Sequence, residues 1–381
     1  MRPEGIRAIV RDVTGAEPRD LAGAGQLEEG ARVVAAMSGG VDSAVAAAIL
    51  RGAGLDVVGV SMRLGSSSRR AEGHAGCCSL DDFEDARRTA VRLDVPHYVV
   101  DLRDLFQEKV IDVFVSTYLS GRTPNPCVLC NRDIKFDALW EWAETAEAVA
   151  IGTGHYARIR TSSEGFALHA GADPAKDQSY FLFTLTQSEL ARTLFPVGGL
   201  AKPQVRALAE ALELPVAQKP ESQDICFVAG TTYAEFVEKN APAARRRPGV
   251  LRATDGRDLG RHEGVHRFTV GQRRGLGGGA EEPRYVTAID AESATVTVGG
   301  RGDLDRSAFL VQDARWTSAP RPGPARVRLR HRHAPVGCTL HPSGATTRVE
   351  LDAPAAGVTP GQAAVWYDGD RVLGGGWIAD R

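Results

Sequence analysis

Two glycines flanked by serines form a short turn near the start of the chain. The run is Ser38-Gly39-Gly40-Val41-Asp42-Ser43, between an apolar segment, 32–37, and an Ala-rich segment, 42–51. Glycine permits positive φ angles and a close approach to a ligand. Successive N–H groups where a turn opens a helix form an anion nest, and the helix N-terminus adds positive potential. The run therefore predicts a phosphate-binding loop, to which Ser38 and Ser43 add hydroxyl donors.

Three cysteines lie in two further polar segments. Cys127 and Cys130 are separated by two residues in the segment 123–131, and Cys226 ends the run Glu221-Ser-Gln-Asp-Ile-Cys226. A thiol at a helix N-terminus has its thiolate stabilised, which makes it a nucleophile or a metal ligand. In a long chain with six cysteines, such a pair favours a metal, cluster or redox site over a structural disulfide. The residues alone leave those three chemistries open.

The elements around the loop alternate in type. Segments 32–37, 56–62 and 97–101 read as strands, and 42–51 and 81–93 read as helices. Strand–helix alternation at this spacing predicts βαβ units and a parallel sheet, so the fold class is α/β. The loop then lies at the carboxyl end of the first strand, where open α/β sheets bind ligands.

The remainder of the chain has a different sequence pattern. Beyond about residue 250, short apolar runs are separated by Gly, Pro, Asp and Ser, which predicts small β-barrels. A chain of 381 residues exceeds one ordinary core. The predicted division is an N-terminal extension at 1–31, a catalytic domain at 32–220, a connector at 221–300 and a C-terminal β-barrel at 301–381.

Charge is unevenly distributed. The formal net charge is −2, yet residues 240–381 carry 21 Arg, no Lys and 15 Asp and Glu together. This basic part suits a polyanionic partner, and a solvated arginine-rich surface explains it equally well. The sequence shows no long apolar run and no secretory signal, so we expect a cytoplasmic protein without a membrane partner.

The hexapeptide matches neither of two common nucleotide-binding motifs but resembles a third. It lacks the Gly-Lys-Ser/Thr ending of a Walker A loop, and Gly-x-Gly-x-x-Gly is absent from it. It resembles the PP-loop of ATP pyrophosphatases, whose domain has the adenine nucleotide alpha hydrolase-like fold. That resemblance implies release of pyrophosphate and an adenylated intermediate.

Further motifs extend over most of the chain. They are Pro124-Asn-Pro126 through Cys130-Asn131 with Lys135-Phe136, Thr153-Gly-His-Tyr-Ala-Arg158, Lys176-Asp-Gln-Ser179, Ile225-Cys-Phe227, Phe268-Thr-Val-Gly-Gln-Arg273, Gly275-Leu-Gly277, Thr359-Pro-Gly-Gln362 and Leu373-Gly-Gly-Gly376. With the phosphate loop they span about residues 32–378. On these motifs the chain resembles the tRNA-specific 2-thiouridylase family.

The resemblance implies an activity and its partners. ATP, with Mg²⁺, adenylates the oxygen on carbon 2 of the wobble uridine in tRNAs for Lys, Glu and Gln. Cys226 carries a persulfide supplied by a cysteine desulfurase and sulfur-relay proteins. Cys130 is the second catalytic cysteine and ends in a disulfide with Cys226 or helps to expel sulfide. The products are 2-thiouridine, AMP and pyrophosphate.

The same resemblance assigns binding residues. The ATP set is Ala36, Met37, Ser38, Gly39, Gly40, Val41, Asp42, Ser43, Met62 and Gly154. The set that contacts the target base is Asn125, Pro126 and Cys127. The set that contacts the rest of the tRNA is His155, Lys176, Asp177, Gln178, Arg328 and Gln362.

One position departs from the family pattern. Members of the family often have Asp where this chain has Cys127. Cys127, Cys130 and Cys226 are three thiolates that could hold a 4Fe–4S cluster with one iron open to sulfide. The cluster is therefore an alternative to the persulfide route.

Two functions from other classes remain as alternatives. A PP-loop enzyme that acts on a small-molecule acceptor has no use for the three cysteines and the basic C-terminal part. A non-catalytic RNA-binding protein with a Cys-x-x-Cys metal site has no use for the phosphate loop. Outside these motifs, Cys77 and Cys78 read as packing or incidental thiols, and Cys338 reads as a barrel-core residue.

Overall fold

The computed structural model describes residues 1–65, 80–220, 225–228, 230–241, 246–276 and 283–380. Cys77 and Cys78 lie outside these ranges. The chain folds into two compact units, each discontinuous in sequence. Unit 1 consists of Met1–Gln107, Val128–Ala229 and Asp370–Val372, and unit 2 consists of Glu108–Cys127, Gly230–Gly369 and Leu373–Arg381.

The helices of the described ranges are short. They are α1 (Pro3–Thr14), α2 (Pro18–Ala22), α3 (Val41–Gly52), α4 (Leu80–Leu93), α5 (Arg103–Phe106), α6 (Asp112–Leu119), α7 (Pro126–Leu129), α8 (Leu139–Thr145), α9 (Gln187–Ala191), α10 (Lys202–Ala211) and α11 (Tyr233–Asn240). Two segments, Gln107–Ile111 and Cys130–Ala138, are π-helical. Within the described ranges, no helix is long and apolar enough to cross a membrane.

The strands fall into separate sheets. They are β1 (Arg32–Ala36), β2 (Asp56–Arg63), β3 (His97–Asp101), β4 (Ala150–Gly152), β5 (Ala157–Ser162), β6 (Gly165–Ala170), β7 (Thr193–Leu194), β8 (Gly249–Ala253), β9 (Asp258–His262), β10 (Tyr285–Asp290), β11 (Thr295–Gly299), β12 (Arg306–Trp316), β13 (Gly323–Arg328), β14 (Val336–Ser343), β15 (Thr346–Ala355), β16 (Ala363–Asp368) and β17 (Arg371–Ile378).

Unit 1 is built on a parallel sheet with the strand order β3-β2-β1-β4-β7. The central strand β1 pairs in parallel with β2 and with β4, so that Val33 is opposite both Val57 and Ala150. Its residues Val33, Val34 and Ala35 are buried, as expected for a strand covered on both faces. This confirms the predicted α/β class and places the glycine turn at the carboxyl end of β1.

Helix α3 is the buried centre of unit 1. Its residues Ala47, Ile49 and Leu50 have no exposed surface, which explains its Ala-rich and apolar composition. The N-terminal helix α1 belongs to the same core, because Ile6 and Val10 are also fully buried there. The first residues of the chain are therefore integral to the domain that carries the loop.

Unit 2 contains two β-modules. One is the sheet β10-β11-β8-β9, and the other is a barrel in the order β12-β15-β14-β13-β16-β17 that closes through pairing of β12 with β17. Closure removes exposed sheet edges. Cys338 lies in the barrel core, where burial raises the pKa of its thiol to about 12. The predictions of C-terminal β-barrels and of Cys338 as a core residue are confirmed.

Helix α6 belongs to unit 2 although its sequence lies between parts of unit 1. Phe114 meets the ring of Phe236 edge-on at 5.9 Å between ring centroids, and Tyr118 stacks on Tyr233 at 4.9 Å. Aromatic pairs at such distances add to the stabilisation from apolar burial. These contacts attach α6 to α11 and bring the following loop, residues 120–125, into the same unit.

Candidate active site

The glycine turn has a backbone that only glycine accommodates at one position. Gly39 has φ of 72°, in the left-handed region, and a Cβ there would collide with the backbone of Asp82. Gly40 is the N-cap of α3 in an extended conformation. The turn therefore passes directly from β1 into α3, and its N–H groups stand at the positive end of that helix.

The two serines of the turn hold it closed. The Ser43 hydroxyl donates to the Gly40 carbonyl at 3.0 Å and accepts the backbone N–H of Ser38 at 3.1 Å. Because its single proton is used on Gly40, the 3.2 Å contact between the two hydroxyls makes Ser38 the donor. In this structure the serine hydroxyls shape the loop.

The turn forms one wall of a cavity of 310 Å³ within unit 1. Its lining residues from the predicted ATP set are Ala36, Ser38, Gly40, Val41, Asp42, Ser43, Met62 and Gly154. Two members of that set do not line it. The side chain of Met37 is buried with 2% exposure, and its carbonyl accepts the Ser61 hydroxyl at 2.6 Å. Gly39 lies in the turn itself and meets Asp82 instead.

A buried cation holds Asp42 at the N-terminus of α3. One Asp42 carboxylate oxygen accepts the Lys202 ammonium at 2.6 Å and the Tyr156 hydroxyl at 2.7 Å. The Lys202 side chain is only 10% exposed. Asp42 therefore has a fixed orientation in the cavity wall. The sequence analysis assigned Asp42 and missed both of its partners.

A second buried cation grips the backbone of the turn. The Lys219 ammonium donates to the Gly39 carbonyl at 2.7 Å, to Asp82 at 2.7 Å and to Asp85 at 2.5 Å. An ammonium has three protons, and these acceptors match all of them. Lys219 and Asp82, with side-chain exposures of 10% and 5%, tie α4 to the phosphate loop and also line the cavity.

Gly154 approaches the start of α3 too closely for any side chain. A Cβ at Gly154 would lie 2.7 Å from the Ser43 nitrogen and 2.8 Å from the Asp42 carbonyl carbon. Such contacts are shorter than real Cβ contacts allow. The strand end after β4 and the phosphate loop are therefore in direct backbone contact, which explains why a glycine stands at this position.

His155, predicted to contact tRNA, lies in the wall of the same cavity. Its ring stacks on Phe136 at 6.2 Å and meets Phe195 edge-on at 6.0 Å, and its Nδ1 is 2.7 Å from the Thr153 hydroxyl. Burial, with a smaller contribution from the charge of Lys135, holds the pKa of His155 well below its usual range. The imidazole is therefore neutral at physiological pH.

Of residues 176–178, two line the cavity and one is buried behind them. Lys176 and Gln178 line the cavity, so their positive charge and amide face the predicted ATP residues. The Asp177 side chain is buried instead, and its carboxylate accepts the backbone N–H groups of Gly171 and Ser179 at 3.1 and 3.0 Å. The structure thus brings part of the predicted tRNA set into the predicted ATP cavity.

Three lysines in or behind the cavity wall were not among the residues assigned to a site. Lys135 and Lys219 line the cavity and Lys202 reaches Asp42 behind its wall. The signal that could have found Lys219 is its position beside the Glu221–Cys226 run. No local pattern reveals Lys202, because its partner is 160 residues away in the sequence.

Cys127, Cys130 and Cys226 are half-buried. Cys130 opens the π-helical segment Cys130–Ala138, and Cys226 precedes Phe227, whose ring meets Phe106 edge-on at 5.7 Å. π-Helical turns often occur at functional sites. In the ranges that the structure describes, no three His, Cys, Asp or Glu side chains are gathered as a metal-ligand set. The described residues therefore give no support for the three-cysteine cluster.

The other predicted tRNA residues belong to unit 2. Asn125 is buried with 8% exposure and Pro126 begins α7. The Arg328 guanidinium carbon lies 5.0 Å from the centroid of the Tyr367 ring. The Gln362 amide nitrogen donates to the carbonyl of Pro124 at 2.8 Å. The contact of these residues with RNA stays a prediction.

Family models match three consecutive parts of the chain. Residues 31–230 match the tRNA methyl transferase HUP domain, 234–300 the tRNA methyl transferase PRC-barrel domain, and 306–378 the aminomethyltransferase beta-barrel domain. The first match alone covers more than half of the chain. Their order agrees with the parallel sheet, the small sheet and the closed barrel.

Curated relatives match over almost the whole chain. The tRNA-specific 2-thiouridylase MnmA of Geotalea uraniireducens is 49% identical over 91% of this chain and 94% of the relative. The protein of the same name from Solibacter usitatus is 48% identical over 91% of this chain and 98% of the relative. The domain descriptions name methyl transfer and the relatives name thiolation. The full-length relatives weigh more, because a domain description covers only a part of a protein.

Solved structures match more distantly. NMN synthetase from Francisella tularensis gives a TM-score of 0.35 at 17% identity, covering 64% of this chain and 90% of that chain. A 4-thiouridine synthetase in complex with RNA and ATP gives a TM-score of 0.33 at 19% identity, covering 56% of this chain and 51% of that chain.

Proposed function

The chain belongs to the tRNA-specific 2-thiouridylase family, and on that premise we propose that it uses ATP to convert the wobble uridine of tRNA into 2-thiouridine. The products are AMP and pyrophosphate, and the tRNAs are those for Lys, Glu and Gln. The observation that carries the proposal is the cavity in which a glycine turn, a helix N-terminus and buried lysines converge. That arrangement is suited to a triphosphate.

The nucleotide half of the reaction uses unit 1. The turn and α3 bind the phosphates, while Lys135 and Lys176 in the cavity wall balance the charge that develops as pyrophosphate leaves. The uridine oxygen on carbon 2 attacks the α-phosphorus, the bond to pyrophosphate breaks, and an adenylated base results. Adenylation is needed because carbon 2 becomes a good electrophile only when its oxygen is a leaving group.

The cavity offers two carboxylates that could bind Mg²⁺. The carboxylates of Asp42 and Asp82 line it. Mg²⁺ is usually bound by one or two carboxylates together with substrate phosphates and water, so these residues suffice. Bound there, the ion would neutralise the charge of the phosphates.

The sulfur half of the reaction uses the cysteines. The terminal sulfur of a Cys226 persulfide attacks carbon 2, the carbon–oxygen bond breaks and AMP leaves. The Cys130 thiolate then attacks the Cys226 sulfur, and the electrons of the broken S–S bond pass to the sulfur now on the base. The enzyme ends with a Cys130–Cys226 disulfide, which a thiol reductant reopens. The persulfide comes from a cysteine desulfurase through relay proteins in the cytoplasm.

RNA contacts are proposed for both units. His155, Lys176, Asp177, Gln178, Arg328 and Gln362 contact the tRNA, and Asn125, Pro126 and Cys127 contact the target base. Unstacked RNA bases are read by hydrogen bonds and stacking, while cationic side chains bind phosphates. The burial of Asp177 suggests that its part is to hold the segment that carries Lys176 and Gln178.

The test is reconstitution with purified protein, tRNA transcript, ATP and a cysteine desulfurase with cysteine. Mass spectrometry of tRNA nucleosides should detect 2-thiouridine, and pyrophosphate should be released with the same stoichiometry. Cys226→Ala should abolish 2-thiouridine while ATP binding persists, and Asp42→Ala should impair adenylation. Thiolation by Cys226→Ala would remove that residue from the mechanism, and pyrophosphate release without any change of the tRNA would support a small-molecule acceptor.

The persulfide route and the cluster route differ in whether thiolation requires iron. We propose the persulfide route because it needs two cysteines, Cys130 and Cys226, whereas a cluster needs at least three ligands and the described residues show no such set. Protein freed of iron by a chelator should retain full thiolation activity. Anaerobic reconstitution with iron and sulfide, followed by Mössbauer spectroscopy, measures whether a cluster binds. A bound cluster together with inactivity of the iron-free protein would overturn the persulfide route.

A further inference from the structure

Lys202 lies where a lysine side chain is unfavourable by itself. It is the first residue of α10, and the positive end of the helix dipole disfavours a cation in the first turn. Its side chain is only 10% exposed, so the ammonium loses most of its contact with water. The Asp42 carboxylate, 2.6 Å away, compensates for both effects. The position of Lys202 is therefore explained by Asp42 and not by α10.

Asp42 lies in a favourable place. It is the second residue of α3, where the helix N-terminus stabilises a carboxylate. Its Oδ1 accepts the Lys202 ammonium at 2.6 Å and the Tyr156 hydroxyl at 2.7 Å. Because the helix already stabilises Asp42, the main effect of Lys202 is on the charge and the direction of this carboxylate beside the phosphate loop.

The second oxygen of the Asp42 carboxylate can be reached from the cavity. The Asp42 side chain is 30% exposed and lines the cavity. In the part of the chain that the structure describes, Oδ2 receives no hydrogen bond, and it is not one of the buried unpaired polar atoms. The Asp82 carboxylate, in contrast, is 5% exposed and binds Lys219. Of the two cavity carboxylates, Asp42 is the one that presents an accessible oxygen.

The two donors to Asp42 are themselves anchored within unit 1. The Lys202 backbone N–H donates to the Asp173 carboxylate at 3.0 Å. Tyr156 is 2% exposed, its backbone N–H donates to the Gln178 side-chain oxygen at 3.0 Å, and its carbonyl accepts the Gln178 N–H at 2.9 Å. The direction of the Asp42 carboxylate is thus set by two side chains whose backbones are fixed.

We propose that Lys202 is a positioning residue of the ATP site: with Tyr156 it binds Oδ1 of Asp42, which directs Oδ2 at the metal-bound phosphates, and it cancels the charge of Asp42. The inference rests on the proposed function, because it takes the cavity as the site of ATP and Mg²⁺. An uncompensated carboxylate in a poorly solvated wall repels phosphate oxygens. A Lys–Asp pair has no net charge and still offers one oxygen to a cation.

Three variants change the net charge of the pair in steps. Lys202→Met leaves the pair negative, Asp42→Asn leaves it positive, and the double variant is neutral like the parent protein. Tyr156→Phe keeps the charge and removes the second donor. Lys239→Met, at an exposed position of α11, and Tyr98→Phe, at an exposed position of β3, are the matched controls.

The measurement is ATP affinity by isothermal titration calorimetry, in EDTA and in Mg²⁺, at one ionic strength because salt screens charge effects. In EDTA, Asp42→Asn should bind ATP at least as tightly as the parent protein, and Lys202→Met should bind it about tenfold more weakly or worse. The double variant should bind like the parent protein, because its pair is again neutral.

The gain in affinity on addition of Mg²⁺ should follow a different order. It should be largest in Lys202→Met, whose extra negative charge attracts the ion, and smallest in the two variants that lack the Asp42 carboxylate. Tyr156→Phe should leave the metal-free affinity nearly unchanged and reduce the gain, since only the direction of the carboxylate changes. Both controls should behave like the parent protein.

A purely structural role of Lys202 would give another result. Lys202→Met would then weaken ATP binding equally with and without Mg²⁺, and adding Asp42→Asn would not restore it. That result would overturn the inference, and so would unchanged binding by Lys202→Met.

Thermal denaturation identifies a folding defect in any variant. If Lys202→Met is unstable, Asp42→Asn is compared with the double variant, in which no buried carboxylate is left unpaired. Metal-free ATP affinity should then be lower in the double variant, and equal affinity would overturn the inference. Failure of the parent protein to bind ATP would sink the inference and the proposed function together. Absence of 2-thiouridine despite the expected Mg²⁺ and ATP binding would sink the proposed function alone.

Discussion

The cavity beside the glycine turn in unit 1 and the loop of residues 122–125 in unit 2 are held by different kinds of interaction. We call the second the base loop, because it leads to the residues for which we propose contact with the target base. Around the phosphate loop, the contacts join buried ions, with Lys202 on Asp42 and Lys219 on Asp82 and Asp85. Around the base loop, a side-chain amide and a backbone N–H bind carbonyl oxygens, and the ion pair of Arg122 with Asp380 is exposed rather than buried. Each region uses glycine where two backbones meet.

The difference follows from what each region would bind. A triphosphate brings several negative charges, so a rigid frame of cations and oriented N–H groups in a poorly solvated wall stabilises it. A uracil base is planar and uncharged, and its recognition depends on placement more than on charge. Breaking the buried ion pairs around the phosphate loop should therefore damage ATP use. Loosening the contacts of the base loop should damage the chemistry at the base.

Gly39→Ala should have the largest effect on the charged region. The new Cβ collides with the Asp82 backbone, and alanine at φ of 72° adds strain of about 1–2 kcal/mol. The loop must move, and ATP affinity should fall by about 100-fold or more, which is the loss of at least 2.7 kcal/mol at about 1.36 kcal/mol per tenfold. Isothermal titration calorimetry measures it.

A matched glycine serves as the control. Gly199 lies in the same unit with ordinary backbone angles and open space at its Cβ position, so Gly199→Ala should bind ATP like the parent protein. Equal ATP affinity in Gly39→Ala would show that the turn is not the phosphate site.

Lys219→Met should reduce adenylation by about 10-fold to 100-fold and leave tRNA affinity unchanged. It removes the cation from two carboxylates in a poorly exposed site, and breaking such a buried pair typically destabilises by about 3–5 kcal/mol. Pyrophosphate release and thermal denaturation measure the two effects. The double variant Lys219→Met with Asp82→Asn should recover part of the stability while adenylation stays low.

This prediction separates the two regions. If Lys219→Met slowed sulfur insertion but left pyrophosphate release intact, the charged frame would serve the cysteines rather than ATP.

His155→Phe should have the smallest effect, on the pH dependence of stability. Burial lowers the pKa of His155, so above the ordinary histidine pKa of about 6.5 the residue is neutral in both states and costs nothing. Below pH 6.5 the unfolded chain takes up a proton that the folded chain refuses. Stability then falls by up to about 1.4 kcal/mol per pH unit until the folded pKa is reached.

Phenylalanine keeps a ring between Phe136 and Phe195 and removes the titration. The urea midpoint of the parent protein should therefore drop more between pH 7.5 and pH 5.5 than that of the variant. Equal drops would mean that His155 titrates normally and is open to solvent or ligand.

Much of the fold was accessible from local patterns. The alternation of apolar runs with helical segments indicated β1, β2 and β3, and the structure places β3 at the predicted residues, His97–Asp101. The short strands of the C-terminal part indicated barrels for the same reason, because strand and turn signals are local. Helix α1 was less visible, since its burial against α3 depends on a contact remote in sequence.

Local patterns could not predict which segments belong to a unit different from that of their neighbours in sequence. Residues 108–127 precede part of unit 1 in sequence and yet fold with unit 2, through aromatic pairs such as Tyr118 with Tyr233. The pairing partners are more than 100 residues apart, and no local pattern contains both.

The sequence by itself determined the chemistry of this protein: a glycine-serine turn after an apolar strand, three cysteines in polar segments, and motifs that run along the chain. Residue type and short spacing are enough for that, because an anion nest needs only a few successive residues. Tertiary structure alone decided which side chains support them. Lys202 beneath Asp42, Lys219 on the Gly39 carbonyl and Gln362 on the Pro124 carbonyl are contacts across 160, 180 and 238 residues. Such contacts exist only after the chain has folded, because folding is what brings a distant donor within hydrogen-bond distance of its acceptor.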